Sequence, residues 1–379
     1  MGIFNMKQYD LIVVGGGVAG VSAALSSARE GLKVLLIEKN ALLGGLATIG
    51  LISWYEPLCN GSGTQLMFSQ TEELLNLAIK YGYHTLDENW LNNHTGKGRF
   101  STNFNPNLFS LSLNQLLLST GVDILYETLV SDVIVKEDKI VSVEVCSVSG
   151  KEIIECDYII DATGSGYICK SAFLPLREGK NYLTYVTTSY NDGINEPKMH
   201  MIGANLFGDN HPKNVGLFVG NSKEEVSKYI SLAQQMCLAE YEKTRKIEYY
   251  GILPNMAQFR MISSLVGEYE LTEKDLRKYQ VSSCGVFGNF LKKDEYYELP
   301  YEVLYNKKVK NLYVAGRIVS SSDVGWEVTR VIPVCVLSGE VAGLAVSLLK
   351  ENKCDNDSLD ISLLQNKLFN RGIKLHHEE

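Results

Sequence analysis

Three glycines spaced Gly15-x-Gly17-x-x-Gly20, set between an apolar run and an alanine-rich run, form the pattern that holds the pyrophosphate of a dinucleotide. Gly15 permits a tight turn, Gly17 lets backbone approach the phosphates, and Gly20 lets the following helix lie close on the strand. A helix that starts there points unpaired N–H groups and the positive end of its dipole at the anion. Glu38 closes the next apolar run, where a carboxylate accepts both hydroxyls of an adenosine ribose and repels a 2′-phosphate.

Further residues suit redox chemistry on such a cofactor. The pair Gly44-Gly45 in Leu43-Gly-Gly-Leu-Ala-Thr48 suits a loop running along the diphosphate towards a flavin ring. The small residues Ala162-Thr163-Gly164 let backbone pass close to the cofactor, and the Thr163 hydroxyl is free to add a contact. Arg260 and Arg330 lie in the stretches expected to flank the ring, where a guanidinium holds a carboxylate or stabilises negative charge on the flavin. Arg330 could equally bind a cofactor phosphate or brace Glu327. Glu327, with Glu56 and Asp323, is a candidate general base, and each is also a candidate cap or ion-pair partner. Tyr55, Tyr296 and Tyr297 are candidate cavity or proton-donor residues, and Trp54 and Trp326 candidate packing partners of the ring. The eight cysteines show no Cys-x-x-Cys and no Cys/His spacing of metal-ligand type, so no metal site is expected.

The elements that must position these residues follow from periodicity. An apolar strand enters the glycine turn, a helix follows, and a second strand ends at Glu38. Helices are expected over about residues 70–80, 108–118 and 223–243. Residues 122–135, 140–145 and 152–156 alternate as successive strands, and a separate buried strand leads from 157 into Ala162-Thr-Gly164. An apolar helix opens at Pro333, with proline in its first turn and glycines for close packing. Its N-terminus suits the pyrimidine edge of a flavin. The expected class is α/β: a Rossmann-type FAD-binding domain with a β-meander, plus an inserted α+β substrate or cap domain. The boundaries expected are 1–175 for the first part of the FAD domain, with an excursion at 61–107 that carries His84 and His94. Then come 176–299 for the cap, 300–350 for the closing part, and 351–379 for a linker and final helix.

Composition narrows the partners. The chain of 379 residues carries a net charge of −8, which disfavours nucleic acid or an anionic membrane as main partner. No stretch is expected to supply the roughly 18 apolar residues of a membrane span. Scattered cysteines read as reduced thiols, so a cytoplasmic setting is expected. The partners expected are a small-molecule substrate and an electron donor or acceptor that the sequence does not name; a homo-oligomer is possible.

Taken together, the glycine turn with Glu38, the Leu43–Thr48 loop, Ile160-Asp-Ala-Thr-Gly164, the Phe259 to Asp275 stretch and Asn311-Leu-Tyr-Val-Ala-Gly-Arg317 through Gly343 resemble one family. It is the FAD-dependent oxidoreductases related to fumarate-reductase flavoproteins and heterodisulfide-reductase A-like subunits, in the glutathione-reductase-type flavin fold. The resemblance implies FAD with its diphosphate on Gly15, Gly17, Val18, Ala19 and Gly20, and near Gly316 and Arg317. It implies adenosine at Glu38 and Lys39, adenine near the Val130 backbone, and the flavin ring against Gly44, Gly45, Leu46, Ala47 and Thr48, with Ala162, Thr163, Gly164, Pro333 and Val334. Gly316-Arg317 departs from the common Gly-Asp ending, and Ser263-Ser264 stands where the family often carries arginines. No second glycine fingerprint, Cys-x4-Cys pair or iron–sulfur quartet accompanies these motifs. The implied reaction is a two-electron oxidation or reduction of a small organic substrate at flavin N5, its direction open. The alternatives are an electron-transfer or redox-sensor subunit read by a partner protein, and an NAD-dependent dehydrogenase.

Overall fold

The computed structural model describes residues 8–86, 100–191, 198–244 and 248–377. The first glycine turn joins β1 (Gln8–Val14) to α1 (Val18–Arg29), which returns the chain to β2 (Val34–Ile37), parallel to β1. Leu11, Ile12, Val13 and Val14 are all buried. Successive strand residues point to opposite faces, so both faces of this sheet are covered. β3 (Asp123–Leu125) continues the parallel edge beside β2. β4 (Leu129–Lys136), β5 (Lys139–Ser147) and β6 (Gly150–Asp161) form an antiparallel meander. β7 (Leu312–Val314) adds in parallel to the far end of β6, giving the order β3-β2-β1-β6-β5-β4 with β7 on β6. The expected α/β fold, a Rossmann-type sheet joined to a β-meander, is present.

Two strand expectations change. Residues 122–135 are two strands rather than one, because the chain turns at Glu127 (φ +47), where Glu127 N–H donates to Asn40 and Thr128 N–H to the Glu38 carbonyl. Conversely, the strands expected at 152–156 and from 157 are the single β6. Its first half pairs with the meander and its second half with β7, while β1 lies along the other side from Glu155 to Asp161.

α2 (Gln70–Ile79) and α3 (Pro106–Ser119) pack together, and α3 starts at Asn105, whose side chain accepts from Asn107 and Leu108 N–H. Residues 87–99 of the expected excursion, His94 included, lie outside the described residues; His84 lies within them, its Nδ1 beside the Leu86 carbonyl.

Ile332–Asn352 is a helix of 21 residues, long and apolar enough by composition to cross a membrane, contrary to the expectation that no stretch qualifies. It is 94% buried inside the protein, as the core helix packed on α1. Small residues make that packing close: a Cβ on Gly339 would stand 2.2 Å from the Ala19 carbonyl oxygen. Ser22 and Ser26 hydroxyls donate to the Val336 and Glu340 carbonyls at 2.7 and 3.0 Å. The Glu340 side chain is fully buried; it accepts from Ser69 Oγ and Gln70 N–H, and Arg371 lies 3.4 Å away. Burial pushes its carboxyl above the usual range, against these partners.

The second apolar cluster comprises Leu183, Tyr185, Phe218, Tyr229, Ala233, Cys237, Phe259 and Ile262. It lies between α4 (Lys223–Thr244) and a three-stranded antiparallel sheet of Thr184–Asn191, Lys198–Gly203 and Glu248–Ile252. The chain enters and leaves this region on adjacent strands, Leu176–Glu178 paired with Ser263–Leu265. Of residues 176–299, expected as one cap, Leu265, Leu271, Val286, Phe287 and Leu299 pack instead into the cluster around β1. The closing part supplies α5 (Asp323–Thr329) and α6 (Ile332–Asn352), and α7 (Ile361–Asn370) docks through Leu364 and Leu368.

Candidate cofactor and substrate site

Gly15 leaves β1 in the left-handed region (φ +102), and a Cβ there would stand 2.5 Å from the Ala162 carbonyl oxygen. Gly20 meets the same turn from the helix side, where a Cβ would fall 1.8 Å from the Gly15 carbonyl oxygen. Gly17 caps α1 without a side chain, the first turn holds no acidic residue, and a Cβ on Gly17 would meet nothing within 4 Å. The first-turn N–H groups of α1 therefore have no side-chain cap, and the space beside Gly17 is open, which fits the pyrophosphate of a dinucleotide.

Glu38 is only 5% exposed. Its Oε2 accepts from Gly16 N–H at 2.6 Å, and its Oε1 from Asn40 N–H and Nδ2 at 2.8 and 2.6 Å. Both oxygens already brace the turn; Oε1 accepts twice from Asn40, and Oε2 keeps a second lone pair for a ribose hydroxyl. Sequence reasoning missed Asn40, a residue that only a side chain folding back on its neighbour reveals. Lys39 is exposed beside it. Val130 opens the meander just beyond Thr128, whose N–H holds the Glu38 carbonyl.

The paired glycines lie directly on the first turn. Gly44 N–H donates to the Gly16 carbonyl at 2.7 Å, and a Cβ on Gly45 would stand 3.2 Å from Gly17 Cα. Ala47 and Thr48 are buried, and the Thr48 hydroxyl donates to the Leu43 carbonyl at 2.5 Å. Gly45 and Leu46 are the partly exposed members of this loop. Its far end is clamped to the cap: Gln258 Nε2 donates to the Gly50 carbonyl at 2.7 Å and to the Val186 carbonyl at 2.8 Å, while its Oε1 accepts from Val186 N–H. Asn255 N–H reaches the Ile49 carbonyl. Sequence reasoning missed Gln258, since nothing local distinguishes it.

The third face is Ala162 to Gly164 with the closing segment. The Thr163 hydroxyl, expected to contact the cofactor, instead donates to buried Asp161 at 2.7 Å and accepts from Ser165 and Tyr167 N–H. Burial pushes the Asp161 carboxyl up, against hydrogen bonds from Thr163 and Cys169. Gly316 N–H donates to Ser338 of α6. Arg317 carries no carboxylate partner among the described residues: its Nε donates to the Gly164 carbonyl at 2.7 Å and its Nη1 to the Phe259 carbonyl. It thereby ties the closing segment to both Ala162-Thr-Gly164 and the cap, and Trp326 Nε1 donates to its carbonyl. At the start of α6, Val331 and Ile332 are partly exposed, with Pro333 and Val334 buried behind them.

Beside this face opens a small cleft lined by Lys180, Tyr182, Gln258, Arg260, Glu327 and Arg330 among others. The three sequence-predicted catalytic residues therefore come together. Arg330 is ion-paired with Glu327 and lies over the Phe290 ring. The Arg260 guanidinium has no hydrogen-bond or ion-pair partner among the described residues, although Asn181 Oδ1 accepts from its backbone N–H at 2.8 Å. Desolvation, with Arg330 nearby, pushes Arg260 down to about 10, and desolvation brings Arg317 down to about 10 as well.

Other candidates fall elsewhere. Tyr55 is fully buried with its hydroxyl on the Thr71 carbonyl, and Tyr297 is buried against Phe287. Tyr296 stacks on His377 near the C-terminus, and Asp323 is exposed at the start of α5. Trp54 pairs with Asn103 in a short strand contact.

A family profile described as FAD dependent oxidoreductase matches residues 10–250 and 275–368. Thioredoxin reductase of Ureaplasma parvum serovar 3 is 29% identical over 119 residues, covering 31% of this chain and 37% of that protein. Digeranylgeranylglycerophospholipid reductase 1 of Methanococcoides burtonii is 26% identical over 181 residues, covering 41% of this chain and 38% of that protein. The matches thus span well under half the length of these relatives. Among solved structures, a geranylgeranyl bacteriochlorophyll reductase-like protein from Thermoplasma acidophilum aligns with TM-score 0.48 and 14% identity, covering 97% of this chain and 85% of that one.

Proposed function

The chain belongs to the FAD-dependent oxidoreductase family, with FAD as its cofactor, and from that premise we propose that it oxidises or reduces a small organic substrate in the Arg260–Arg330 cleft. The observation that carries this reading is the convergence of three separate pieces, Gly15–Gly20, Gly44–Gly45 and Gly316–Arg317, beside a cleft whose other wall is the cap. When bound, the flavin supplies two-electron chemistry at N5. The chain's own residues do the rest. The uncapped N–H groups of α1 would hold the diphosphate, and Glu38 Oε2, with one lone pair left beside Gly16 N–H, would accept from the ribose. Gly45 and Leu46 line the path towards the ring. Gln258 fixes the loop against the cap.

Glu327 is the carboxylate of the cleft, and the ion pair with Arg330 holds it in place. It is therefore the candidate proton acceptor in a dehydrogenation, with Arg330 keeping it oriented. An NAD-dependent dehydrogenase does not fit membership of an FAD family. A subunit whose redox state is read by a partner protein is the second reading, and the cap cleft favours a small substrate over it. The test is an anaerobic visible spectrum of the FAD-loaded protein challenged with small organic donors. Bleaching by one of them, at a rate matching steady-state turnover, supports the enzyme; bleaching only by a protein partner sinks it.

A further inference from the structure

The cleft concentrates positive charge in an acidic protein. Lys180, Arg260 and Arg330 line it against the single carboxylate Glu327, on a chain of net charge −8. Arg330 is neutralised by Glu327, which leaves Arg260 as a guanidinium with five donors and no acceptor among the described residues. A partly desolvated cation without a partner is costly unless an anion completes it. Its backbone is also fixed: Asn181 Oδ1 accepts from both Arg260 and Met261 N–H, and the Arg317 guanidinium holds the carbonyl of the preceding Phe259. The fork is thus presented from a rigid base, the arrangement that favours bidentate binding of a planar anion.

We propose that this cleft binds the carboxylate group of a small organic acid through Arg260. Such acids are then the substrate class of the function proposed above; the binding claim stands on the cleft, and the substrate role rests on that function. One guanidinium neutralises one carboxylate. Lys180 at the rim could add a second charge to a phosphate dianion, so phosphate is the competitor that the test includes. Tyr182, Leu206 and Met261 give the rest of the acid an apolar wall with one phenol, and Gln258 connects this wall to the Gly50 end of the paired-glycine loop.

The experiment is calorimetric titration of the FAD-loaded protein at fixed ionic strength with acetate, succinate, their neutral amides and inorganic phosphate, with the flavin spectrum recorded alongside. Carboxylates are expected to bind at least about tenfold more tightly than the amides, and R260A to lower that affinity by about 10- to 100-fold with FAD content unchanged. R260K should recover part of the loss. Equal binding of amides and carboxylates overturns the proposal, as does phosphate binding more tightly than either acid. So does an R260A protein that loses FAD while its FAD-replete fraction binds carboxylates normally, because the guanidinium then serves the cofactor. Carboxylate binding through Arg260 without electron transfer to or from any acid sinks the redox reading alone. Turnover of neutral donors with no carboxylate binding sinks this inference alone.

Discussion

Replacing Gly339 by alanine sets two opposed effects against each other at the contact that supports the cofactor turn. In an isolated helix the change gains about 1 kcal/mol of helix propensity. In this protein the new Cβ would lie 2.2 Å from the Ala19 carbonyl oxygen and 3.0 Å from Ser22 Cβ, where ordinary contact begins at 3.4 Å. The nearest atom is backbone of α1, so the two helices must separate by on the order of 1 Å. That separation also stretches the bonds from Ser22 to Val336 and from Ser26 to Glu340, now 2.7 and 3.0 Å. Overpacking costs about 1–3 kcal/mol and each weakened hydrogen bond about 0.5–1.5 kcal/mol, so the propensity gain is outweighed. We expect G339A to lose about 1–5 kcal/mol in urea denaturation of the FAD-loaded protein, and FAD to dissociate more readily in a fluorescence assay, because Ala19 belongs to the α1 start. Gly343, whose Cβ would stand 2.5 Å from the Ala23 carbonyl oxygen, is the control: G343A should lose stability with less effect on FAD, one turn further from the pyrophosphate. A G339A protein more stable than wild type, with FAD affinity unchanged, would refute the close packing of these helices.

Further substitutions probe the site. E38Q places an amide where one oxygen now accepts only N–H donors, so FAD affinity should fall about tenfold or more through loss of about 1.5–3 kcal/mol of charged hydrogen bonding, read by equilibrium dialysis; unchanged affinity would remove Glu38 from the site. Q258L strips the Gly50 carbonyl and both Val186 backbone groups of their partner, and amide exchange around residues 50 and 186 should rise, with protection unaltered counting against the clamp. Glu340 has a raised carboxyl, so its charged form weakens the fold as pH climbs above its ordinary 4.5, whereas Asp10, Glu30 and Asp275 have lowered ones, and the stability they add is lost as pH falls through their folded values. E340Q should therefore remove the decline on the alkaline side of that carboxyl's titration and leave the acid limb in place, as measured by thermal denaturation across pH; a profile parallel to wild type would show that Glu340 stays neutral or freely charged in both states.

Some of this was legible in residue order. The glycine spacing, the strand ending at Glu38 and the helix opening at Pro333 are local patterns, since a tight turn, a parallel strand and a helix start each require particular residues at short range. The family and its cofactor follow from those motifs standing in sequence. Strand boundaries were less legible: nothing local marks residues 152–161 as one strand, because its continuity is imposed by β1 and β7 lying alongside. The sequence equally offered Arg330 as ligand or brace, and Thr163 as a free hydroxyl. The local backbone decides these, by turning Glu327, three residues before, onto Arg330 and Asp161, two residues before, onto Thr163.

What the sequence by itself determined is the machinery of the dinucleotide turn, because backbone conformation and close approach there depend on which residues lack a Cβ. What only the tertiary structure decided is which polar groups remain without a partner. Gln258 across the cap and Arg317 on two carbonyls are bonds between groups far apart in the chain, while Asn40 folds back on Glu38. Arg260 alone of the three arginines is left with no acceptor among the described residues, and that inequality is a product of where the chain comes to rest rather than of what precedes or follows it. A guanidinium's chemistry is fixed by its residue type, but its availability is set by its neighbours in space.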